Sequence, residues 1–313
     1  MSGVSGAGVA RRAKGAKTGG ASADAAAVPA RTGRRRGPGR RRAGARIGWN
    51  LLGLVVFLAA GFPVYWMLDT AVKPARDAID PSPRLLPSGF TLANFRRALD
   101  IADFWGPVTR SLVVAFAVVL VGMVVGLLAA LAISRFAFRG RKIVVVGILA
   151  VQTVPLVAMI IPIFLLLNDL GQYDKLSGLI LTYLTFVLPF TVWTLRGFVA
   201  AIPRELEEAA MVDGCGRTGA FLRVVFPLLA PGMVATSVYA FIQAWNEYLY
   251  ALMLMSQQHQ TATVWLSNFT TKHGTEYAPM MAGATLMAVP MVVLFLFVQR
   301  RMAAGLTAGA VKG

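Results

Sequence analysis

The chain has 313 residues, 57% of them hydrophobic and only 14% charged. Its apolar residues fall in long blocks instead of alternating with polar ones, which suits hydrocarbon and excludes an ordinary water-soluble domain. The formal charge of +17 would raise nucleic acid as a partner, but twelve of the 31 basic residues precede the first apolar block. They lie among Gly, Ala and Pro with no aromatic residue for stacking on bases, so no nucleic-acid partner is expected.

Residues 1–46 hold the Arg34–Arg36 and Arg40–Arg42 clusters and cannot bury apolar surface. They read as a disordered basic tail, suited to holding the N-terminus inside the cell or to meeting anionic membrane lipid. Residues 47–313 form one membrane domain. Its apolar blocks are Ile47 to Leu68, Val108 to Ile133, Ile143 to Leu167, Leu179 to Val199, Leu228 to Met255 and Met280 to Val298. Each matches or exceeds the roughly 20 residues needed to cross about 30 Å of hydrocarbon. An all-α, polytopic protein with six transmembrane helices is therefore expected. The first block is too long for a signal-peptide core and ends in Trp66-Met67-Leu68-Asp69, so it stays as an anchor.

Orientation follows from the basic residues of the short connections. The one after the second block holds Arg135, Arg139, Arg141 and Lys142, whereas those after the third and fifth hold only Lys175 and Lys272. Both termini are expected in the cytoplasm. The long first connection dissents weakly, because its five basic residues are accompanied by Asp69, Asp77, Asp80, Asp100 and Asp103. Within it, four prolines precede Thr91 to Phe95, where a short surface helix can open. Pro155 and Pro162 in the third block and Pro189 in the fourth remove backbone donors. In a bilayer such sites pack against other helices or line a passage, which favours the third and fourth spans as cavity walls.

The residues of an energy source are missing. Gly15-Ala16-Lys17-Thr18 lacks the Gly-Lys pair of a phosphate-cradling loop and has no strand and helix around it. An ion-driven carrier should bury carboxylates or histidines in its spans. Glu247 is the exception, and about 30 Å along its helix it falls near the outer mouth. His259 and His273 stand in an outer loop without nearby cysteine, and no metal site is expected there. Cys215 has no intrachain disulfide partner.

The segment from Ile202 to Gly214 reads as a short helix between the fourth and fifth spans, within a cytoplasmic loop at 200–227. Pro203 suits its first turn, Glu205, Glu207 and Glu208 complement its positive end, and Gly214 can close it in a left-handed conformation. Ile202, Leu206, Ala209, Ala210 and Asp213 fall near one face, and small alanines there permit another surface to approach closely.

With Glu208-Ala209-Ala210, Gly214 and Phe226-Pro227, this loop resembles that of the integral-membrane subunits of binding-protein-dependent ABC importers. Phe226 replaces the family's usual Leu before Pro227, a conservative departure. Ile161-Pro162-Ile163-Phe164, Leu188-Pro189-Phe190, Phe241 to Glu247 and the tail Gly305 to Gly313 extend the resemblance over residues 47–313, toward the carbohydrate-uptake branch and its maltose-type second permease. The resemblance implies a type I permease fold in a bacterial cell membrane. It also implies a homologous second permease, two ATPase subunits that use ATP and Mg, and a solute-binding protein outside. Glu207, Glu208, Ala209, Ala210, Asp213, Gly214 and Pro227 would couple to the ATPase, and the Gly-rich tail would reach the ATPases from the membrane side. The chain itself would bind no cofactor and be no enzyme. Trp245, Asn246 and Tyr248 offer aromatic faces and an amide suited to sugar rings and hydroxyls, a possible substrate pathway. An ion-driven secondary transporter is the alternative, and an amino-acid or phosphate importer of the same superfamily would differ only in ligand.

Overall fold

The computed structural model describes residues 39–310 apart from Pro83, Ile101, Ala102 and His273, with side chains described over 48–299. Most of the expected tail, residues 1–38, therefore lies outside the described residues, as do 311–313. The chain divides into a unit ending at Val56 and a second running from Phe57. Among the described residues, five helices are long and apolar enough to cross a membrane: Gly48–Val72, Trp105–Arg135, Leu176–Ala201, Arg217–Asn246 and Tyr277–Gln299. They belong to α1 (Gly39–Val72), α4 (Trp105–Arg135), α7 (Leu176–Ala201), α9 and α10 (Arg217–Ala220, Phe226–Asn246) and α13 (Tyr277–Ala310). Short helices fill the connections: α2 (Ala75–Ala78), α3 (Ala93–Asp100), α8 (Arg204–Val212), α11 (Leu249–Leu254) and α12 (Ala262–Leu266). The described strands are two-residue pieces pairing Thr270 with Thr275 and Thr271 with Gly274.

The third apolar block departs from a single straight span. It forms α5 (Arg141–Val151) and, after Pro155, a 3-10 turn leading into α6 (Ile160–Asp169), bent by 96°. Pro155 supplies the reason, since it has no N–H and its ring crowds the carbonyl four residues back. The fifth block also divides. α10 stops at Asn246, and Leu249 starts α11.

The centre of the bundle is α4 against α7, with α10 closing one side. Val114, Ala115, Val118, Tyr183, Val187 and Phe241 are buried in one cluster, and Met123, Ala130, Leu195, Val225 and Leu229 in a second. Helices surrounded by lipid gain little from burying apolar surface, so close approach through small residues holds them together. A Cβ on Gly126 of α4 would lie 2.4 Å from Cγ2 of Thr191, and one on Gly232 of α10 would lie 2.4 Å from the Phe198 ring. Gly232→Val is therefore expected to drive α10 away from α7 at a cost of about 1–3 kcal/mol, seen as a lower unfolding midpoint in detergent. Outward residues such as Leu120, Val124 and Leu128 of α4 and Phe295 and Leu296 of α13 are exposed.

One end of the bundle gathers the 73–104, 170–175 and 247–276 connections. The Asn94 side chain donates to the carbonyls of Ala71 at 2.9 Å and Lys73 at 2.7 Å, satisfying the end of α1. Thr91 accepts from the Ala93 amide where α3 begins, as the sequence suggests. Lys73 is buried, pairs with Asp69, donates to the Arg84 carbonyl at 2.5 Å and lies 4.5 Å from the centre of the Trp66 ring. Arg97 of α3 grips Glu276 through two bonds of 3.1 and 3.0 Å, and this partner holds the Glu276 carboxyl below its ordinary range. Burial would raise the Asp174 carboxyl, but the Ser256 amide and His259 outweigh it and hold it low. His259 thus has a partner in Asp174 at 2.9 Å, while His273 lies outside the described residues. The 136–140 and 202–216 connections share the opposite end, where Arg204 reaches the end of α4.

Candidate functional site

α8 follows Pro203, which has extended ψ and leaves Arg204 as the first helical residue. Pro203 precedes the first turn instead of joining it. At the other end the Cys215 amide donates to the Ala210 carbonyl at 3.0 Å and the Gly214 amide to that of Met211 at 3.1 Å. This paired closure requires a left-handed residue between, and Gly214 supplies φ +91°. The acidic residues at the start of α8 stabilise its positive end.

The candidate coupling residues do not share one environment. Glu208, Ala209, Asp213 and Gly214 are exposed, with Leu206 beside them, and Ala210 is half-buried. Glu207 turns inward and pairs with Arg135 at 2.6 Å. Pro227 is exposed in the first turn of α10, after a π turn at Phe221–Val225 against which α8 packs. The widened turn gives room for a ring that a regular helix would crowd against the carbonyl of Arg223. A groove of about 480 Å³ beside α8 is lined by residues that include Leu131, Arg135, Arg204, Glu207, Arg217 and Phe221. In the sequence Arg135 was legible only as a charge for orientation, and Arg204 carried no role. Their place beside the last turn of α4 is where cations satisfy terminal carbonyls, a signal that could have marked them.

The break in the third block opens a second site. A cavity of about 490 Å³ is bounded by Gln152, Leu156, Ile163, Thr185, Phe186, Pro189, Tyr239 and Gln243, among others. A neighbouring space of about 310 Å³ shares Leu156, Phe186, Gln243 and Tyr250 and adds Asn246 and Glu247. The third and fourth blocks both contribute walls. Asn246 is therefore at the cavity, but Trp245 is buried, stacked on Phe241 at 5.8 Å, and neither it nor the exposed Tyr248 lines the two spaces. Gln152, Thr185, Tyr239 and Gln243 are polar residues that sequence inspection passed over, because only the meeting of α7, α10 and the end of α5 puts them together.

Glu247 stands at the far end of α10 from α8 and organises the break. Its carboxylate accepts from the Tyr250 and Ala251 amides at 2.8 and 3.0 Å and from the Tyr183 hydroxyl at 2.7 Å. It caps α11, and these donors account for a half-buried carboxylate in an apolar stretch of the chain.

The family described as binding-protein-dependent transport system inner membrane component matches residues 122–307, a stretch containing α8 and both cavity spaces. The chain belongs to that family. It is 43% identical to the diacetylchitobiose uptake system permease protein DasC of Streptomyces coelicolor, over 86% of this chain and 98% of that one. It is 36% identical to the trehalose transport system permease protein SugB of Mycobacterium tuberculosis, over 85% and 97%. A chain in the crystal structure of a bacterial ABC transporter that imports the polysaccharide alginate superposes with a TM-score of 0.70 at 20% identity, covering 83% of this chain and 97% of that one. The last shares the fold. Membership makes this chain a multi-pass inner-membrane permease component of an ABC importer.

Proposed function

We propose that this permease carries a sugar or short oligosaccharide across the membrane, with a homologous second permease, two ATPase subunits that consume ATP with Mg, and a solute-binding protein outside the cell. Both termini and α8 face the cytoplasm. The observation that carries this is α8 itself, a nine-residue helix held at the bundle end with Glu208, Ala209 and Asp213 exposed. Small residues on such a face admit a partner's surface. Glu208, Ala209, Ala210, Asp213, Gly214 and Pro227 form or shape that contact, and Glu207 serves it from within.

A sugar is favoured by the names of two relatives, which transport diacetylchitobiose and trehalose. The cavity chemistry agrees. Thr185, Gln152, Gln243 and Asn246 offer hydroxyl and amide groups for sugar hydroxyls, and Phe186 and Tyr239 offer faces for the apolar sides of the rings. Asn246 belongs to the proposed pathway, whereas Trp245 supports it from behind and Tyr248 stands outside it.

The test is purification of the complex from native membranes, followed by ATPase assays and uptake of labelled diacetylchitobiose and trehalose in proteoliposomes. An ATPase and a second permease should co-purify, and uptake of one or both sugars should require ATP. Solute movement by the chain alone under an ion gradient would replace this proposal with a secondary carrier.

A further inference from the structure

We infer that Arg135 is a positioning residue for energy coupling, tying α8 to α4 and α7 so that displacement of α8 is delivered to the membrane bundle. This rests on the proposal that α8 receives the ATPase. Two arginines cross between the elements. Arg135, the last residue of α4, pairs with Glu207 of α8 at 2.6 Å and donates to the Ile202 carbonyl just beyond α7 at 3.1 Å. In return Arg204, the first residue of α8, donates to the carbonyls of Ser134 and Arg135, both at 3.3 Å.

Position and burial make this clamp more than a surface ion pair. The side chains of Arg135 and Glu207 retain 13% and 26% of their exposure, so solvent and salt screen the pair less than an exposed one. Both arginines also sit where helix ends leave carbonyls unpaired, which gives each a fixed geometry. α8 otherwise rests on α9 and the π turn, and none of its nine residues is fully buried. Glu207 is thereby committed to its own chain, and Glu205, Glu208 and Asp213 are the acidic residues offered outward.

The clamp is tested in the whole importer by labelling, with no need to know the solute. In a Cys215→Ser chain, Gln243→Cys places a thiol on the cavity wall, and its reaction with a membrane-impermeant maleimide is timed with and without ATP. ATP should change the labelling rate. Arg135→Gln is expected to keep the bound ATPase and its hydrolysis while the ATP-dependent change shrinks about ten-fold. Arg135→Lys should restore part of it, and so should Arg135→Glu with Glu207→Arg, which returns the ion pair but not the bond to the Ile202 carbonyl. Should Arg135→Gln fail to assemble, Glu207→Gln, which keeps the side-chain shape, is labelled in the fraction of complexes that retains the ATPase, and the ATP-dependent change there is expected to shrink. An unchanged labelling response in the single variants, or a loss that the charge exchange leaves uncorrected in an assembled complex, overturns the inference. Absence of any ATPase from the wild-type complex would instead overturn the functional proposal beneath it.

Discussion

A chain carrying Glu208→Arg is expected to insert and fold normally yet leave the membrane without its ATPase, with ATP-driven uptake reduced about 100-fold. Glu208 is exposed and has no described hydrogen bond or ion pair within the chain, so reversing its charge removes no internal support. Its neighbour shows the contrast. Glu207 is paired with Arg135, and reversing that charge would set two cations together beneath α8 and disturb the helix. At a docked surface, juxtaposed like charges cost several kcal/mol, enough to empty the complex. Co-purification and the unfolding midpoint, measured on the same preparation, separate lost docking from lost folding. A normal midpoint with the ATPase still bound would show that Glu208 takes no part in docking.

Lys73→Met should lower the stability of the detergent-solubilised protein by about 3–5 kcal/mol, because it leaves the Asp69 carboxylate buried without its cation. The Lys73 and Asp69 side chains are only 2% and 4% exposed. Lys73 also loses its bond to the Arg84 carbonyl and its place over Trp66, loosening the loop that α3 joins to the end of α1. A buried pair repays little more than its own desolvation. Removing both charges with Asp69→Leu and Lys73→Met is therefore expected to recover most of the loss. Thermal unfolding of the single and double variants checks this, and equal loss in both would assign the stability to the Lys73 contacts with Arg84 and Trp66 instead.

Sequence by itself determined the membrane setting, because blocks such as Val108 to Ile133 and Met280 to Val298 have no soluble structure that would shelter them. It determined α8 as well. Pro203, the acidic first turn and Gly214 are local signals, and the structure closes the helix through Gly214 with a left-handed residue. The proline-bearing third and fourth blocks were legible as cavity walls for a similarly local reason, the loss of backbone donors. Only tertiary structure decided how sharply the third block turns, since Pro155 forbids regular helix but cannot specify a 96° bend. It also decided that Glu247 caps α11 and meets Tyr183, a residue 64 positions away. Trp245 and Asn246 are adjacent in sequence yet separate into buried core and cavity wall, because successive residues on a helix point about 100° apart and only the packed neighbours determine which direction is open. The inward turn of Glu207 and outward presentation of Glu208 have the same origin: the two carry one chemistry in the sequence, and Arg135, arriving from the end of α4, divides their roles.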